Sequence, residues 1–236
     1  MQDLSEWVAP RWPDADRLDG RYARLERLTT TRHGAALHRA NMADDAIWDY
    51  LPYGPFRSQA AYADWIEAAC TGRDPTFYAI FDNETGRWGG VASYLRITPA
   101  AGTIEVGHIN LSKQLQKTRA ATEAMMLMMQ WAFEAGYRRY EWKCNAANLA
   151  SRRAAERYGF SFEGVFRQAA VVKGRNRDTA WFACIDAEWP AIRTAFQTWL
   201  DPANFDAAGR QRQRLSDLTA PILVARDPVL AAGQLR

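Results

Sequence analysis

Two cations stand where a helix is predicted to begin, and they indicate a binding site for an anion. Residues 115–133 open with Lys117 and Arg119 among small and hydroxylated residues and then become a methionine-rich apolar run. The first turn of a helix presents unpaired N–H groups and the positive end of the helix dipole. Cations are unfavourable there unless an anion neutralises them, so we expect an anionic ligand over this turn. The alternative is that both side chains are solvated loop residues.

The apolar pattern around this turn predicts the elements that would hold it in place. One apolar face of the predicted helix is formed by Ala121, Ala124, Met125, Met128 and Ala132, and Gly136 would end it. Residues 76–82, 88–97 and 102–111 precede the helix as three strands, the first two joined through the turn residues NETG, and we expect an antiparallel meander. Residues 138–144 form the next strand, which is reached through a helical crossover and should therefore run parallel to its predecessor.

The remaining segments complete a mixed pattern of strands and helices. We predict a strand at 21–28, a helix at 32–42 capped by Thr30 or Thr31, and a helix at 59–70 capped by Ser58. Asn148 should cap a short helix that Gly159 ends, and two strands flank the turn 173–178. A final helix covers 189–200. We therefore expect a single domain at residues 1–200, with its core at about 20–200, and an extension at 201–236 that packs loosely or contacts a partner.

Composition and charge restrict the class of protein. The chain of 236 residues is 48% apolar and 24% charged, as in globular proteins. Its 30 cations and 27 anions are too balanced for a dedicated nucleic-acid binder. The cysteines Cys70, Cys144 and Cys184 lack the paired spacing of a zinc site or a disulfide framework. No apolar run reaches the length of a membrane span and the N-terminus is unlike a signal peptide, so we expect a cytoplasmic protein with no metal.

Two short motifs carry a resemblance to a known family. Residues 116–121 read Gln-Lys-Thr-Arg-Ala-Ala and continue as Thr122-Glu123-Ala124, while Asn148 and Ser151 precede Gly159-Phe160. With the predicted order of elements, they resemble the GNAT N-acyltransferase superfamily, and in particular its RimJ/RimL branch, over about residues 20–200. The resemblance implies an α+β fold with a central mixed, mostly antiparallel twisted sheet flanked by helices. It also implies an N-acetyltransferase that uses acetyl-CoA and no metal.

The resemblance also implies which residues hold the coenzyme. The backbone N–H groups of residues 116–121 would hold the pyrophosphate, and the end of the preceding strand would pair with the pantetheine amides. Arg119 stands where the family usually has glycine, so its side chain must point away from the phosphates or grip them from the rim. The implied cofactor-binding residues are Ile109, Asn110, Leu111, Gln116, Lys117, Thr118, Arg119, Ala120, Ala121, Thr122, Asn148, Ser151 and Arg157.

Three residues are candidates for proton transfer. Glu105 matches the glutamate that the family often uses as general base, and His108 is the alternative because its ordinary pKa lies near working pH. Ser151 matches a serine assigned to protonate the departing thiolate, although Asn148 and Ser151 would equally form a helix cap. The tyrosine acid of many members is absent, because Ala155 occupies the corresponding position.

The resemblance places the acceptor between the first two helices and the last hairpin. Aromatic rings there would suit an amine through cation–π contacts, although they would equally suit a core. The hairpin also carries cations that could attract an acidic partner or a phosphate-bearing substrate. The candidate acceptor residues are Trp48, Tyr50, Tyr53 and Trp142, with Asp49 and Trp181 nearby, and the hairpin cations are Lys173, Arg175 and Arg177.

We interpret the chain as an enzyme that acetylates a primary amine of a small molecule or a peptide in a ternary complex. One alternative is a donor such as succinyl-CoA, with Arg119 or Arg139 binding the extra carboxylate. Another is a CoA-binding regulatory protein that has lost catalysis. A third alternative is RNA binding through the arginines at 138, 139, 152 and 153, but the sequence has no RNA-binding motif and we expect neither a nucleic-acid nor a membrane partner. A homodimer is left open.

Overall fold

The computed structural model describes residues 3–233 and places one mixed sheet at their centre. The strand order is β1-β2-β3-β4-β5-β6-β8-β7, and every neighbouring pair is antiparallel except β5 and β6, which are parallel. The expected fold class, including the meander and the parallel crossover, is confirmed. The strands are β1 (Arg17–Asp19), β2 (Ala23–Arg27), β3 (Thr76–Asp82), β4 (Arg87–Thr98), β5 (Thr103–Leu111), β6 (Arg139–Asn145), β7 (Ser161–Val172) and β8 (Arg175–Ile185).

Helices cover both faces of the sheet. On one face, Ile104 and Val106 of β5 pack with Met125 and Met128 of the long third helix in the larger core. On the other face, Leu37 and Ile66 of the first two helices lie in a smaller aromatic core. The helices are α1 (Ala35–Asn41), α2 (Gln59–Ala69), α3 (Arg119–Glu134), α4 (Leu149–Arg157), α5 (Trp189–Leu200), α6 (Leu215–Thr219) and α7 (Pro228–Gly233). None of the helices in residues 3–233 has the length and hydropathy that crossing a membrane requires.

Local signals in the sequence act as expected at several ends of these elements. The Ser58 hydroxyl accepts a hydrogen bond from the Ala61 amide at 3.1 Å and starts α2. Gly136 adopts φ +98° just after α3, where a left-handed residue ends the helix. The hairpin turn between β7 and β8 is shorter than the predicted 173–178. Lys173 and Gly174, with φ +48° and +73°, suffice for a two-residue turn, so β8 already begins at Arg175.

The N-terminal region differs from the prediction. A short strand, β1, precedes β2 and was not predicted. The following helix starts with a π-helical turn at Thr30–Gly34, so the predicted caps lie inside the turn rather than before it. The reason is His33, whose Nδ1 accepts the Thr29 amide proton at 3.0 Å and thereby holds Thr29 extended as the first flanking residue. The side chain that bonds the backbone at this helix start is therefore the imidazole of His33, and not the hydroxyl of Thr30 or Thr31 that the sequence pattern predicted.

A buried carboxylate on α3 anchors the start of β2. Glu123 is only 5% exposed. It accepts backbone N–H groups from Arg21 at 3.1 Å, Tyr22 at 2.5 Å and Ala23 at 2.6 Å. A Cβ at Gly20 would lie 2.4 Å from the Glu123 carboxylate, so glycine is required for this close approach. The interaction fixes α3 against the sheet, and with it the helix start that was expected to bind an anion.

The C-terminal extension is largely exposed, but a few buried residues anchor it to the domain, which the expectation of loose packing did not include. Leu215, Thr219 and Asp227 are fully buried. The Asp227 carboxylate accepts a hydrogen bond at 2.6 Å from Nη2 of Arg152 on α4, and its backbone amide donates to Glu156. The extension is held in place because Asp227 is the partner of the buried guanidinium of Arg152. A pattern of apolar residues does not reveal such an ion pair. Residues 234–236 of the predicted extension lie outside the described residues, and a domain boundary at 200 stays a prediction.

The Arg152–Asp227 pair generates a stability prediction. Asp227→Ala should lower the free energy of unfolding by about 3–5 kcal/mol, because it leaves a buried arginine without its counter-charge. Urea denaturation followed by circular dichroism measures this change. The matched control is Asp45→Ala, which removes an exposed pair with Arg57 and should cost less than about 1 kcal/mol. Equal losses in the two variants would contradict the structural role of Asp227.

Candidate functional site

A cleft opens where β5 separates from β6. Their parallel pairing runs from Thr103 opposite Arg139 to Val106 opposite Trp142 and then ends. β6 remains paired with β8 as far as Asn145, and β5 remains paired with β4 as far as Leu111. The side of β5 that faces β6 therefore has no neighbouring strand at residues 107–111. Backbone groups on such a side can pair with the amides of an extended ligand.

A bulge in β5 lies at this separation. Ser93 pairs with Gly107 and Val91 with Asn110, so β5 has one more residue than β4 between the two pairs. His108 adopts φ +49°, a left-handed conformation that is uncommon for residues other than glycine. A bulge bends its strand and changes the direction of its side chains. Here it increases the separation of the strands and places the His108 side chain beside the cleft.

The start of α3 offers amide donors at one end of the cleft. Thr118 caps the helix, its hydroxyl accepting from the Ala121 amide at 3.0 Å. Lys117 before it adopts φ +64°. The amides of Arg119 and Ala120 have no acceptor among the described residues. Free N–H groups at a helix start form a binding site for phosphate oxygens.

The Arg119 side chain is held within the chain itself. Its Nε lies 3.2 Å from the Glu84 carboxylate, and its Nη2 contacts the same group. The guanidinium also lies 4.8 Å from the ring centroids of both Tyr22 and Phe205. Of the two predicted alternatives, the one in which Arg119 turns away from the phosphates fits this arrangement. Gln116, at the start of the same motif, donates through its side chain to the Leu111 carbonyl at 3.0 Å.

The start of α4 brings Asn148 and Ser151 to the same cleft. The Asn148 carboxamide accepts the Ser151 amide proton at 3.0 Å, so the predicted cap is present. The Ser151 hydroxyl accepts from the Trp142 indole N–H at 3.0 Å. The Ser151 hydroxyl also hydrogen-bonds the thiol of Cys144, which partly offsets the rise that burial causes in the pKa of that thiol. As a donor the hydroxyl therefore has Cys144 as its partner within the chain. The Asn148 cap uses the Ser151 amide and leaves the hydroxyl out, so capping and proton donation are compatible in one residue.

Arg157 connects α4 to the first turn of α3. Its Nη1 donates to the Thr122 hydroxyl at 3.2 Å, and its guanidinium lies 4.9 Å from the centroid of the Trp199 ring. Burial lowers the pKa of Arg157, which nevertheless remains a cation at neutral pH. The structure thus brings a positive charge to the helix start that was predicted to bind phosphates.

Glu105 lies on the opposite face of the sheet and is already paired with two cations. It is 3% exposed, Arg96 Nη1 lies 2.8 Å from its carboxylate, and Lys143 Nζ lies 2.9 Å away. Burial raises the pKa of Glu105, while Lys143 and Arg96 partly offset the rise. Lys143 in turn contacts Glu141 at 2.7 Å. A carboxylate in this setting stabilises neighbouring charges and has little access to a substrate.

His108 lies nearer the mouth of the cleft and pairs with a tyrosine. Its Nδ1 is 3.1 Å from the Tyr53 hydroxyl, and the two rings stack with centroids 5.6 Å apart. Burial lowers the pKa of His108 to about 4, and the positive charges of Arg96 and Arg177 act in the same direction. Burial also raises the pKa of Tyr53, which keeps its proton. At neutral pH the imidazole is uncharged, and Nε2 has no hydrogen-bond partner among the described residues.

Three of the four candidate acceptor residues lie together. Trp48 and Tyr53 pack in the aromatic core, and the Tyr50 hydroxyl reaches across to the Ala147 carbonyl at 3.4 Å. The tip of the last hairpin closes on them, because Lys173 Nζ donates to the Trp48 carbonyl at 3.0 Å. Trp142 lies on the other face of the sheet, 5% exposed against Tyr158 and Phe160. The reason is that successive side chains of β6 point to opposite faces of the sheet. Lys143 lies on the face of Tyr50 and Tyr53, so Trp142 lies on the other face.

Sequence reasoning missed the charges that surround Glu105. Arg96 and Lys143 were not singled out, although β6 carries Arg139, Glu141 and Lys143 at every second position. This alternation on a half-buried strand is the signal that could have identified a charged face. Within residues 3–233, no group of three or more His, Cys, Asp or Glu side chains is arranged to hold a metal ion.

Comparison with protein families and solved structures gives a consistent result. Residues 24–161 match the family model described as acetyltransferase (GNAT) domain. A GCN5-related N-acetyltransferase from Brucella melitensis is 44% identical, with a TM-score of 0.89 over 92% of this chain and 100% of that chain. An acetyltransferase of the GNAT family from Chromobacterium violaceum, described as probable, is 42% identical, with a TM-score of 0.77 over 81% of this chain and 96% of that one.

The structure of RimL, the ribosomal L7/L12 alpha-N-protein acetyltransferase, is 23% identical, with a TM-score of 0.62 over 75% of this chain and 99% of that one. At this identity the similarity concerns the fold, and the expected resemblance to the RimJ/RimL branch is confirmed at that level. No curated protein matches the chain significantly.

The environment of His108 generates a pH prediction. Its lowered pKa means that, below about pH 6.5, the unfolded chain binds a proton that the folded chain does not. The His108 contribution to the free energy of unfolding should therefore fall by about 2 kcal/mol between pH 7 and pH 5. His108→Asn, which tolerates the left-handed backbone, should lack this loss in urea denaturation. An NMR titration of His108 with a midpoint near 6.5 instead of about 4 would contradict the prediction.

Proposed function

The chain belongs to the GNAT acetyltransferase family, and on this premise we propose that it transfers an acetyl group from acetyl-CoA to a primary amine. The amine attacks directly in a ternary complex. The observation that carries the proposal is the cleft between β5 and β6, with free amides at the start of α3 at one end and His108 at its mouth. This geometry gives one site for a diphosphate, one for an extended pantetheine arm and one for a proton acceptor.

In this proposal the chain binds acetyl-CoA mostly through its backbone. The amides of Arg119 and Ala120 hold the pyrophosphate, and Lys117 and Arg157 add positive charge beside it. Residues 109–111 pair with the pantetheine amides across the unpaired side of β5. The Asn148 cap holds α4 so that Ser151 lies beside the thioester sulfur. Backbone recognition explains how an arginine replaces the usual glycine at 119, since its side chain is bound by Glu84 and two rings.

The reaction requires two proton transfers. The amine nitrogen attacks the thioester carbonyl, the C–N bond forms and the C–S bond breaks. The proton lost by the amine goes to Nε2 of His108, which releases it to solvent, while Ser151 donates a proton to the departing thiolate and regains one from solvent. His108 can accept at Nε2 when its other proton is on Nδ1 and is donated to the Tyr53 oxygen. Tyr53 thus orients the imidazole, and the proposed role of His108 requires the tautomer in which Nδ1 carries the proton.

We favour His108 over Glu105 as the proton acceptor. Glu105 is buried and paired with Arg96 and Lys143, so a proton on it would break two ion pairs. His108 is neutral at working pH and has a nitrogen without a partner. The positive charges near His108 also favour the uncharged amine over its ammonium form, which prepares the nucleophile.

Other assignments have weaker support. The succinyl donor was considered with Arg119 or Arg139 binding the extra carboxylate, but both arginines are already paired, Arg119 with Glu84 and Arg139 with Glu141 and Glu163. The regulatory alternative is favoured by the absent tyrosine acid and by Arg119 in place of glycine, whereas Ser151 and His108 at the cleft favour catalysis. The amine of a protein N-terminus is one acceptor class, in view of the ribosomal protein named for RimL. The cytoplasmic location and the homodimer stay predictions.

A pair of variants at one position tests the proposed binding of acetyl-CoA. Arg119→Pro removes a backbone N–H at the first position of α3, where helices tolerate proline and where the extended Thr118 is compatible with it. Arg119→Ala removes the same side chain but keeps the N–H. We expect isothermal titration calorimetry to give Arg119→Pro an acetyl-CoA Kd at least about tenfold weaker than that of Arg119→Ala, from the loss of a charge-assisted hydrogen bond.

An assay of the unaltered protein for thiol release from acetyl-CoA, with a panel of primary amines, tests the reaction itself. Turnover with any amine supports the transfer. The absence of acetyl-CoA binding in the unaltered protein would remove the enzyme assignment, whereas binding without turnover would favour the regulatory alternative. Equal affinities of Arg119→Pro and Arg119→Ala would contradict the role of the helix start.

Ser151 generates a separate kinetic prediction. Ser151→Ala should lower kcat about tenfold, because the thiolate then leaves without a proton donor, while the Kd for acetyl-CoA stays within about threefold. Ser151→Thr keeps the hydroxyl and should restore most of the rate. Ser216→Ala, at an exposed position of α6, is the control. An unchanged kcat in Ser151→Ala would show that the hydroxyl serves only as the hydrogen-bond acceptor of the Trp142 indole.

A further inference from the structure

The face of the sheet that carries His108 is lined with charges that neutralise one another. Lys143 lies between two carboxylates, at 2.9 Å from Glu105 and 2.7 Å from Glu141. Arg96 pairs with the first of them, and Arg139 pairs with the second and with Glu163. Three cations thus meet three carboxylates. This network has no remaining charge for a substrate.

Arg177 is a cation on the same face that is outside this network. It shares one face of β8 with Thr179 and Trp181, because side chains alternate along a strand. Trp181 in turn packs under Lys143, whose Nζ lies 3.8 Å from the ring centroid. No carboxylate among the described residues lies within ion-pair distance of Arg177. Its Nε is buried and has no hydrogen-bond acceptor there, nor has the buried indole N–H of Trp181.

The charge of Arg177 reaches the site of proton transfer. Arg177 lies on β8 two residues before Thr179, which pairs with Asn145 at the end of β6, and the Ala146 amide donates to the Asp178 carbonyl, so Arg177 lies beside the end of β6 that has separated from β5. Its positive charge also helps to lower the pKa of His108 on β5. An arginine with a buried and unpaired N–H is unfavourable, and an incoming oxyanion removes that cost by accepting the hydrogen bond. The adjacent Asp178 does not pair with Arg177, because neighbouring residues of β8 lie on opposite faces of the sheet, and the Asp178 Oδ1 accepts from the Gln168 amide and from the Asn176 side chain.

We propose that the acceptor of this enzyme carries an oxyanion, a carboxylate or a phosphate, which Arg177 binds while the amine of the same molecule faces His108. The inference rests on the proposed acetyl transfer and narrows its substrate class. The Trp181 N–H provides a further donor for a polar group of the acceptor. Amino acids, acidic peptides and phosphorylated amines fit this arrangement. Polyamines do not, because a second ammonium would lie beside an unneutralised guanidinium.

Matched acceptors test the proposal. Glycylglycine and glycylglycinamide share the attacking amine and differ in the terminal carboxylate, and spermidine represents polycations. We expect kcat/KM, measured by thiol release, to be at least about tenfold higher for glycylglycine than for its amide. Arg177→Gln should reduce that ratio to below about threefold, while Arg175→Gln, at an exposed position of the same hairpin, should leave it unchanged. A preference for the amide or for spermidine would overturn the proposal and leave acetyl transfer intact.

A binding measurement keeps the proposal independent of turnover. Inorganic phosphate and acetate are each titrated into the protein with and without saturating CoA, which occupies the pyrophosphate site. Binding in the presence of CoA that is lost in Arg177→Gln and kept in Arg175→Gln supports the oxyanion site, and the two anions distinguish phosphate from carboxylate. Equal binding of these anions by the unaltered protein and by Arg177→Gln, in the presence of CoA, overturns the proposed oxyanion site. If no amine is acetylated but this anion binding is seen, the proposed function fails and the oxyanion site stands.

Discussion

The end of the parallel pairing between β5 and β6 is the constraint on which the candidate site depends. A sheet whose strands stay paired has no room for a ligand between them, and its backbone groups are all satisfied. Here β8 retains β6 and β4 retains β5, so the two strands can diverge without either becoming free. The bulge at His108 lies at the point where the strands separate. The extra residue bends β5 and also places an imidazole at the opening. Binding surface and reactive group therefore have one structural origin.

The two faces of the sheet present different kinds of chemical group at the cleft. On the face of α3 and α4 lie the free amides of the helix start and Ser151, which we propose bind the coenzyme, and Glu84 holds the side chain of Arg119. On the other face, side chains rather than backbone groups dominate, and their charges are mostly compensated. Arg177, whose buried Nε has no hydrogen-bond acceptor among residues 3–233, is not part of this compensation. The contrast is physically reasonable, because a constant phosphate group is well served by fixed amides, whereas a specific acceptor must be distinguished by side chains.

Features determined by neighbours in the sequence were predictable, and those that depend on distant residues were not. The Ser58 and Asn148 caps, the Gly136 stop and the strand meander follow from local pattern. β1, the π-helical turn at Thr30–Gly34 and the packing of the extension depend on partners such as His33 and Arg152 that no local signal identifies. At the site, Asn148 and Ser151 were found by motif, but the pairing of Glu105 with Arg96 and Lys143 required the strand register. Alternation along β6 separated Trp142 from the other aromatic candidates.

The last residues of the described chain also protect the sheet. The Ala225 carbonyl accepts the Phe162 amide proton at 3.0 Å, so the extension covers the beginning of the edge strand β7. Further along, the register shift between Phe166 and Ala170 interrupts the free edge, and Glu163 and Arg167 place charges on it. Exposed regular edges are templates for intermolecular strand addition. Proteolytic removal of residues beyond 220 would expose this edge together with an uncompensated guanidinium, and the product would be prone to aggregate before it lost its fold.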